Sequence, residues 1–386
     1  MPLHTTSPFT AAEFQRRQRH VCRELARRDL DGLLMFRQES MYYVTGYATF
    51  GYCFFQCLYL GTDGRMTLLT RLPDTIIAGL DSVIEDIRAW HNLPGSNPAN
   101  NLRDILEEHG VRGERLGIEL DAYGLTGLHY TRVQAALTDF CRLEDASNLV
   151  TELRVVKSRA ELACSRKAGE LADAALVEAN RLAVPGAWGG DILAAMQGAV
   201  FKGDGDYSGN EFILNSGPRA VGGRYMAGRD HLCSNDQLTV EWAGVYRFYH
   251  AAMMRTILTG RVTKRQLNLH SLALDAHAAS VAELKPGNTF GDVYDAYAKV
   301  VTNARHFHFT ATGYSQGATF PPSWMDWPMF WHGNDTEIRA GMVLFVHTYV
   351  ATMDQKHVTA PGQSYIVTRN GNEALSKMSM ELVVND

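Results

Sequence analysis

A chain of 386 residues that is 46% hydrophobic and 20% charged can bury a sizeable core, and its length favours two domains over one. A net charge of -5 without any run of Lys or Arg excludes the electrostatic footprint of a nucleic-acid or anionic-membrane binder. No apolar run approaches the length of about 18 residues that spans a membrane, and the N-terminus lacks the basic-then-apolar order of a secretory leader, so a cytoplasmic protein acting on a small molecule is expected.

In chain order, Thr10 with Glu13 forms a capping-box pattern, and Phe14, Val21 and Leu25 recur at helical spacing, which predicts a first helix to about Asp29. DGLLMF (31–36) reads as a buried strand, and CLYLGTDGRMTLLT (57–70) as two strands joined at Asp63-Gly64. A strand at 114–120 between helical stretches near 101–109 and 125–138 completes an α/β unit over 1–155. Ser158 with Glu161 opens a second long helix whose stripe runs Leu162, Leu171, Ala175, Leu176 and Ala179, and this starts a second domain, 156–386. Its later part clusters strands apart from helices near 264–284 and 290–304, an α+β arrangement. Six cysteines without a C-x-x-C pair read as reduced buried thiols, Cys53 and Cys57 as small fillers.

GYSQG (313–317) matches the G-x-S-x-G elbow that carries a hydrolase serine, which needs a strand before Ser315 and a helix after it. ATFPPSWMDWP follows instead, and its prolines disfavour that helix.

Several segments, in order, resemble the creatinase/prolidase/aminopeptidase P family with its pita-bread fold: KSRAEL (157–162), NSGP (215–218), LKPGNTFGDV (284–293), GMVLFV (341–346) and IVTRNGNEALS (366–376). The resemblance implies an N-terminal creatinase-like domain, a C-terminal pita-bread catalytic domain and a homodimer. Peptidases of this family hold two metal ions with two aspartates, a histidine and two glutamates. Here the matching positions are Glu241, Ala252, Tyr314, His347, and Gly362 or Gln363. No metal or cofactor is therefore expected. Branches without metal include creatinase and ectoine hydrolase. EWAGVYRFYHAAMMRT (241–256) and GYSQGATFPPSW (313–324) resemble the latter, with departures at Gln316, Phe320 and Ser323.

The resemblance places His231 at the catalytic histidine of creatinase, and an imidazole suits proton delivery to a departing nitrogen. Glu241 at an inherited ligand position can activate water or hold a cation, with Tyr314 and His347 supplying hydrogen bonds. Unbroken strand alternation would put Glu241 with Ala243, Val245, Arg247 and Tyr249 on one face and His250 on the other, so His250 needs a bulge or a turn at Gly244 to join Glu241. Tyr249, His250, Trp324, Trp327 and Trp331 are candidate substrate contacts, the tryptophans as an aromatic wall for a compact cation. Phe50 and Tyr52 are candidates to close the pocket of a dimer partner. The expected activity is hydrolysis of a C–N bond in a small zwitterionic solute. The alternatives are a metal-dependent Xaa-Pro dipeptidase or sulfonium lyase of the same fold, and a non-catalytic binding protein.

Overall fold

The computed structural model of the chain describes residues 7–224 and 228–386. It divides into two compact units, Met1–Arg154 and Val155–Asp386.

The first unit contains helices α1 (Ala11–Arg27), α2 (Gln38–Thr45), α3 (Leu72–Asp81), α4 (Pro98–Glu108), α5 (Gly127–Leu137) and α6 (Leu149–Arg154). Its strands β1 (Gly32–Met35), β2 (Cys57–Gly61), β3 (Met66–Arg71), β4 (Asp86–Trp90), β5 (Arg115–Ile118) and β6 (Arg142–Asp145) form one mixed sheet in the order β4-β3-β2-β1-β5-β6. The apolar run of β1 is continuous because both faces are covered: Leu33 and Met35 pack with Val21 and Leu25 of α1, and Leu34 and Phe36 with Leu102 of α4 and Val133 of α5. At Thr10 only half of the expected capping box forms. The Thr10 hydroxyl accepts the Glu13 N–H at 3.2 Å, while the Glu13 carboxylate turns to Arg17 at 2.8 Å.

The second unit opens with α7 (Arg159–Leu182), where Ser158 and Glu161 complete a reciprocal capping box. Next come α8 (Gly189–Lys202) and the strands β7 (Ile213–Ser216), β8 (Gln237–Tyr246) and β9 (Tyr249–Thr259). Helices α9 (Lys264–Glu283) and α10 (Phe290–Asn303) precede β10 (Phe307–His308), β11 (Gly313–Ser315), β12 (Asp326–Met329), β13 (Val343–His347), β14 (Val350–Ala351), β15 (Val358–Thr359), β16 (Gly362–Thr368), β17 (Gly371–Ala374) and β18 (Val383–Asn385). The main sheet runs β12-β11-β13-β16-β9-β8-β7, with β17 on β16 and β18 on β9. The chain is thus an N-terminal creatinase-like α/β unit followed by an α+β pita-bread unit.

One side of this sheet is covered by helices. Trp242 of β8 is fully buried and its indole N–H donates to the Ala172 carbonyl of α7 at 3.0 Å. Leu344 and Val346 of β13 pack with Leu269 and Ala273 of α9. The helix α7 lies so close to β8 that only glycine fits at 244, where a Cβ would stand 2.0 Å from the Ala168 carbonyl oxygen.

No helix among the described residues is long and apolar enough to cross a membrane. None of the six cysteines forms a disulfide, but the expectation that they are buried fails for Cys53 and Cys233, which are exposed.

Gly244→Ala is expected to destabilise the second unit at or above the upper end of the usual overpacking cost of about 1–3 kcal/mol, because the opposing atoms are backbone. Gly198→Ala, inside α8 where an added Cβ meets nothing within 4 Å, is expected to stabilise by about 0.5–1 kcal/mol. Thermal unfolding of the two variants beside the wild type checks both signs.

Candidate functional site

The hairpin β8–β9 decides which side chains meet. It turns through two residues, Arg247 and Phe248, both left-handed with φ of 49° and 65°, so Tyr246 pairs Tyr249, Val245 pairs His250, Ala243 pairs Ala252 and Glu241 pairs Met254. Cross-strand partners share a face. Glu241 and His250 therefore lie on one face, and the expected separation of the two is corrected by a tight turn after Tyr246 rather than one at Gly244. Arg247 and Tyr249 leave the Glu241 face for the same reason.

The pairing continues across the sheet as one row, Glu241–Met254–Gly362–His347, and Phe345 on the same face pairs Tyr314. Glu241, Ala252, Gly362, His347 and Tyr314 consequently share the face opposite the helices. Gln363, paired with Met253 and bonded to Arg255 at 3.1 Å, faces the other way. On a flat sheet the steps from β11 to β8, each about 4.8 Å, would separate Tyr314 from Glu241 by roughly 20 Å. The sheet instead curls. The segment after β11 bonds back to β9, with the His250 N–H on the Gly317 carbonyl at 3.1 Å and the Thr319 N–H on the Phe248 carbonyl at 3.2 Å.

Curling brings Tyr314 onto Glu241. The Trp324 indole N–H donates to the Tyr314 oxygen at 2.6 Å, and because indole only donates, the tyrosine proton remains available to the Glu241 carboxylate, which acts electrostatically on the phenol. Burial pushes the Glu241 carboxyl up to about 7, opposed by the Arg224 guanidinium and the Tyr314 hydroxyl. Burial pushes the Tyr314 phenol well above its usual range, so it stays a donor. The ring of His347 lies 6.2 Å from that of Tyr314. Burial, aided by Arg224, lowers its pKa to about 4, which keeps it neutral, and its Nδ1 is buried without a partner among the described residues.

The remaining candidates divide. Tyr249 is buried on the helix side with its hydroxyl on Glu161 at 2.8 Å, so it is not a substrate contact. His250 faces the site, but its Nε2 accepts the Gly209 N–H at 2.8 Å, leaving Nδ1–H to donate to the Phe248 carbonyl at 2.8 Å. Both ring nitrogens are thereby used to hold the hairpin. Of the tryptophan wall only Trp324 reaches the site. Trp331 is 42% exposed and Trp327 is half-buried in β12. His231 is exposed, with its ring 5.0 Å from that of Trp188 and its Nδ1–H on the Gly186 carbonyl at 3.0 Å. It makes no bond to Glu241, Tyr314 or His347 among the described residues. In the first unit Phe50 is 74% exposed and Tyr52 is buried. Ser315 lies fully buried on the helix side with its hydroxyl unpartnered among the described residues, so no base activates it.

Comparison with known proteins agrees with this architecture. The model of metallopeptidase family M24 matches residues 163–369, and that of the creatinase/prolidase N-terminal domain residues 17–156. The chain belongs to family M24. An ectoine hydrolase of Halomonas elongata is 25% identical over 99% of this chain and 100% of its own length. An uncharacterised hydrolase/peptidase of Sinorhizobium fredii, y4tM, is 26% identical over 98% of this chain and 99% of its own. A prolidase of Thermococcus sibiricus superposes with a TM-score of 0.86 at 17% identity, covering 97% of this chain and all of that one, which shows the fold alone.

The metal ions implied by the M24 family name do not fit the residues present. Of the inherited ligand positions, Glu241 alone carries a carboxylate, Ala252 offers no side-chain donor, and a Cβ at Gly362 would stand 2.9 Å from that of His347. Among the described residues no three of His, Cys, Asp and Glu are grouped to share an ion. Arg224 adds positive charge to the same site, the opposite of what a pair of divalent cations requires.

Arg224, Asn215 and Gln316 were missed by sequence reasoning. Arg224 follows the Gly222-Gly223 pair, and an isolated cation in a glycine-rich segment was the available signal. Asn215 and Gln316 stood inside quoted motifs, as the first residue of NSGP and as a departure at 316, but only strand parity places them on the site face.

The pKa of Glu241 lies above its ordinary value of 4.5, so the folded chain holds the proton more tightly than the unfolded one and loses stability as pH rises from about 4.5 to 7. Glu241→Gln is expected to remove that loss: its Tm gain over the wild type is larger at pH 8 than at pH 4.5. Tyr314→Phe removes a hydroxyl that favours the ionised form, so the Glu241 midpoint is expected to move above 7. Carboxyl carbon NMR with Glu241→Gln as the assignment reference reads this directly.

Proposed function

We propose that the chain is a hydrolase that opens a C–N bond of a small zwitterionic solute carrying an amidine, guanidine or amide, without a dinuclear metal centre. The observation that carries this reading is the strand register, which gathers Glu241, Ala252, Gly362, His347 and Tyr314 on one face with Glu241 as the single carboxylate, where the M24 peptidases resembled here place a cage of anions. The ectoine hydrolase relative supports the same reaction class.

In this mechanism the ionised Glu241 removes a proton from the water that attacks the carbon of the C–N bond, and a carboxyl titrating near neutrality suits that transfer. Tyr314 donates to Glu241 throughout and fixes the carboxylate plane. Arg224 holds a substrate carboxylate, and neutral His347 offers a hydrogen bond without adding charge. His231, whose Nδ1–H is committed to Gly186, carries its mobile proton on Nε2 and delivers it to the departing nitrogen. The active form is a homodimer in which Phe50, exposed where Tyr52 is buried, lines the partner's pocket, and sedimentation of the purified chain as a monomer would remove that part.

A metal-dependent Xaa-Pro dipeptidase is the second reading, favoured by a Pyrococcus horikoshii relative of that name, 23% identical over 69% of this chain. Turnover of a panel of cyclic amidines, guanidines and lactams, measured before and after exhaustive chelation, separates the two. Unchanged kcat/KM is expected, and activity that vanishes and returns with manganese or zinc overturns the first reading. Glu241→Gln and His231→Ala are each expected to cost about 100-fold or more in kcat, and a near-normal rate in either variant removes that residue from the mechanism.

A further inference from the structure

Three polar groups on the Glu241 face are buried without a hydrogen-bond partner among the described residues: both ends of the Asn215 carboxamide, Nε2 of Gln316 and Nδ1 of His347. Gln316 is at least anchored, since its Oε1 accepts the Ala252 N–H at 3.2 Å. Asn215 is fully buried and has neither atom satisfied. Such a group costs the fold stability, a cost that a bound ligand can reverse.

Strand register fixes where this amide stands. Ile213 of β7 pairs Glu241 and Asn215 pairs Thr239, so Asn215 is the diagonal neighbour of Glu241 on the same face. Diagonal neighbours lie roughly 7–8 Å apart, with their Cβ atoms somewhat closer, so one small ring could reach both side chains.

We infer that Asn215 is a specificity-determining residue whose carboxamide oxygen and NH2 together grip a substrate edge on which an N–H donor and an N or O acceptor lie side by side. Resting on the reading of this face as the substrate site, the inference narrows the substrate class. Lactams, cyclic ureides, neutral cyclic amidines and primary amides present such an edge. A trans peptide unit points its N–H and C=O in opposite directions, and an Xaa-Pro bond has no N–H at all. Asn215 thus selects against the dipeptides that M24 relatives named Xaa-Pro dipeptidase are named for.

The test is thermal unfolding of the full chain with two probes, 5-oxoproline and N-acetylglycine. Each carries one secondary amide and one carboxylate, but the amide edge is cis in the first and trans in the second. 5-Oxoproline is expected to raise the wild-type Tm and N-acetylglycine to leave it unchanged. Asn215→Leu, which removes the unsatisfied amide, is expected to unfold at a higher temperature than the ligand-free wild type and to lose the response to 5-oxoproline. Asn215→Ala, which cannot overpack the position, is expected to lose the same response. The inference is overturned if 5-oxoproline fails to stabilise the wild type, if N-acetylglycine stabilises it equally, or if either variant keeps the shift. Because the readout is binding, its failure is distinguishable from a failure of Glu241 in turnover.

Discussion

The two-residue turn at Arg247-Phe248 is the constraint on which the site depends. Had β8 and β9 been joined by one residue more or fewer, cross-strand parity would change and Ala252, His250 and Met254 would leave the Glu241 face. Neither turn residue is glycine, although both occupy the left-handed region at a cost of order 1 kcal/mol each. The surroundings over-determine the conformation. Asp204 pairs with the Arg247 guanidinium at 3.1 Å, and Phe248 stacks on Phe320 at 4.7 Å. His250, expected to touch substrate, is part of this clamp, tying Gly209 and Phe248 together through its two nitrogens.

On the face so defined, electrostatics follow from burial and sparse charge. Where several carboxylates would need cations, a lone glutamate can be moved to neutral pH by desolvation, provided that the opposing pull of Arg224 and Tyr314 stays smaller. Tyr314 cannot swing away, because Trp324 holds its oxygen from behind. The tryptophan expected to wall in a cation instead aims a phenol at a carboxylate. The neutral state of His347 follows from the same two causes, burial and the nearby guanidinium.

Family membership and the residues of this face separate here. A prolidase at 17% identity shares the fold at a TM-score of 0.86, which requires that the core pattern and the strand register be kept. Neither depends on what projects from the concave face. At Gly362 the strands run close together, and an added Cβ would stand 2.9 Å from the Cβ of His347 and 3.2 Å from that of Met254, so a side chain there would require the strands to shift.

Much was legible locally. The capping box at Ser158, the helices over Lys264–Glu283 and Phe290–Asn303, the strands of the first unit and the rejection of Ser315 as a nucleophile all rest on short-range pattern, and so does the substitution at each inherited ligand position. The face on which each strand residue lies rests on turn length and register, which join residues far apart in sequence. The sequence could nominate Tyr249 and His250 as neighbours, but only the hairpin sends one to α7 and the other to the site. Likewise it could quote Gly362 or Gln363, and only the pairing with Met254 and His347 selects Gly362. The role of Asn215 was hidden for the same physical reason: a side chain becomes functional through what the folded sheet sets beside it, and composition and periodicity determine the strand without determining its neighbours.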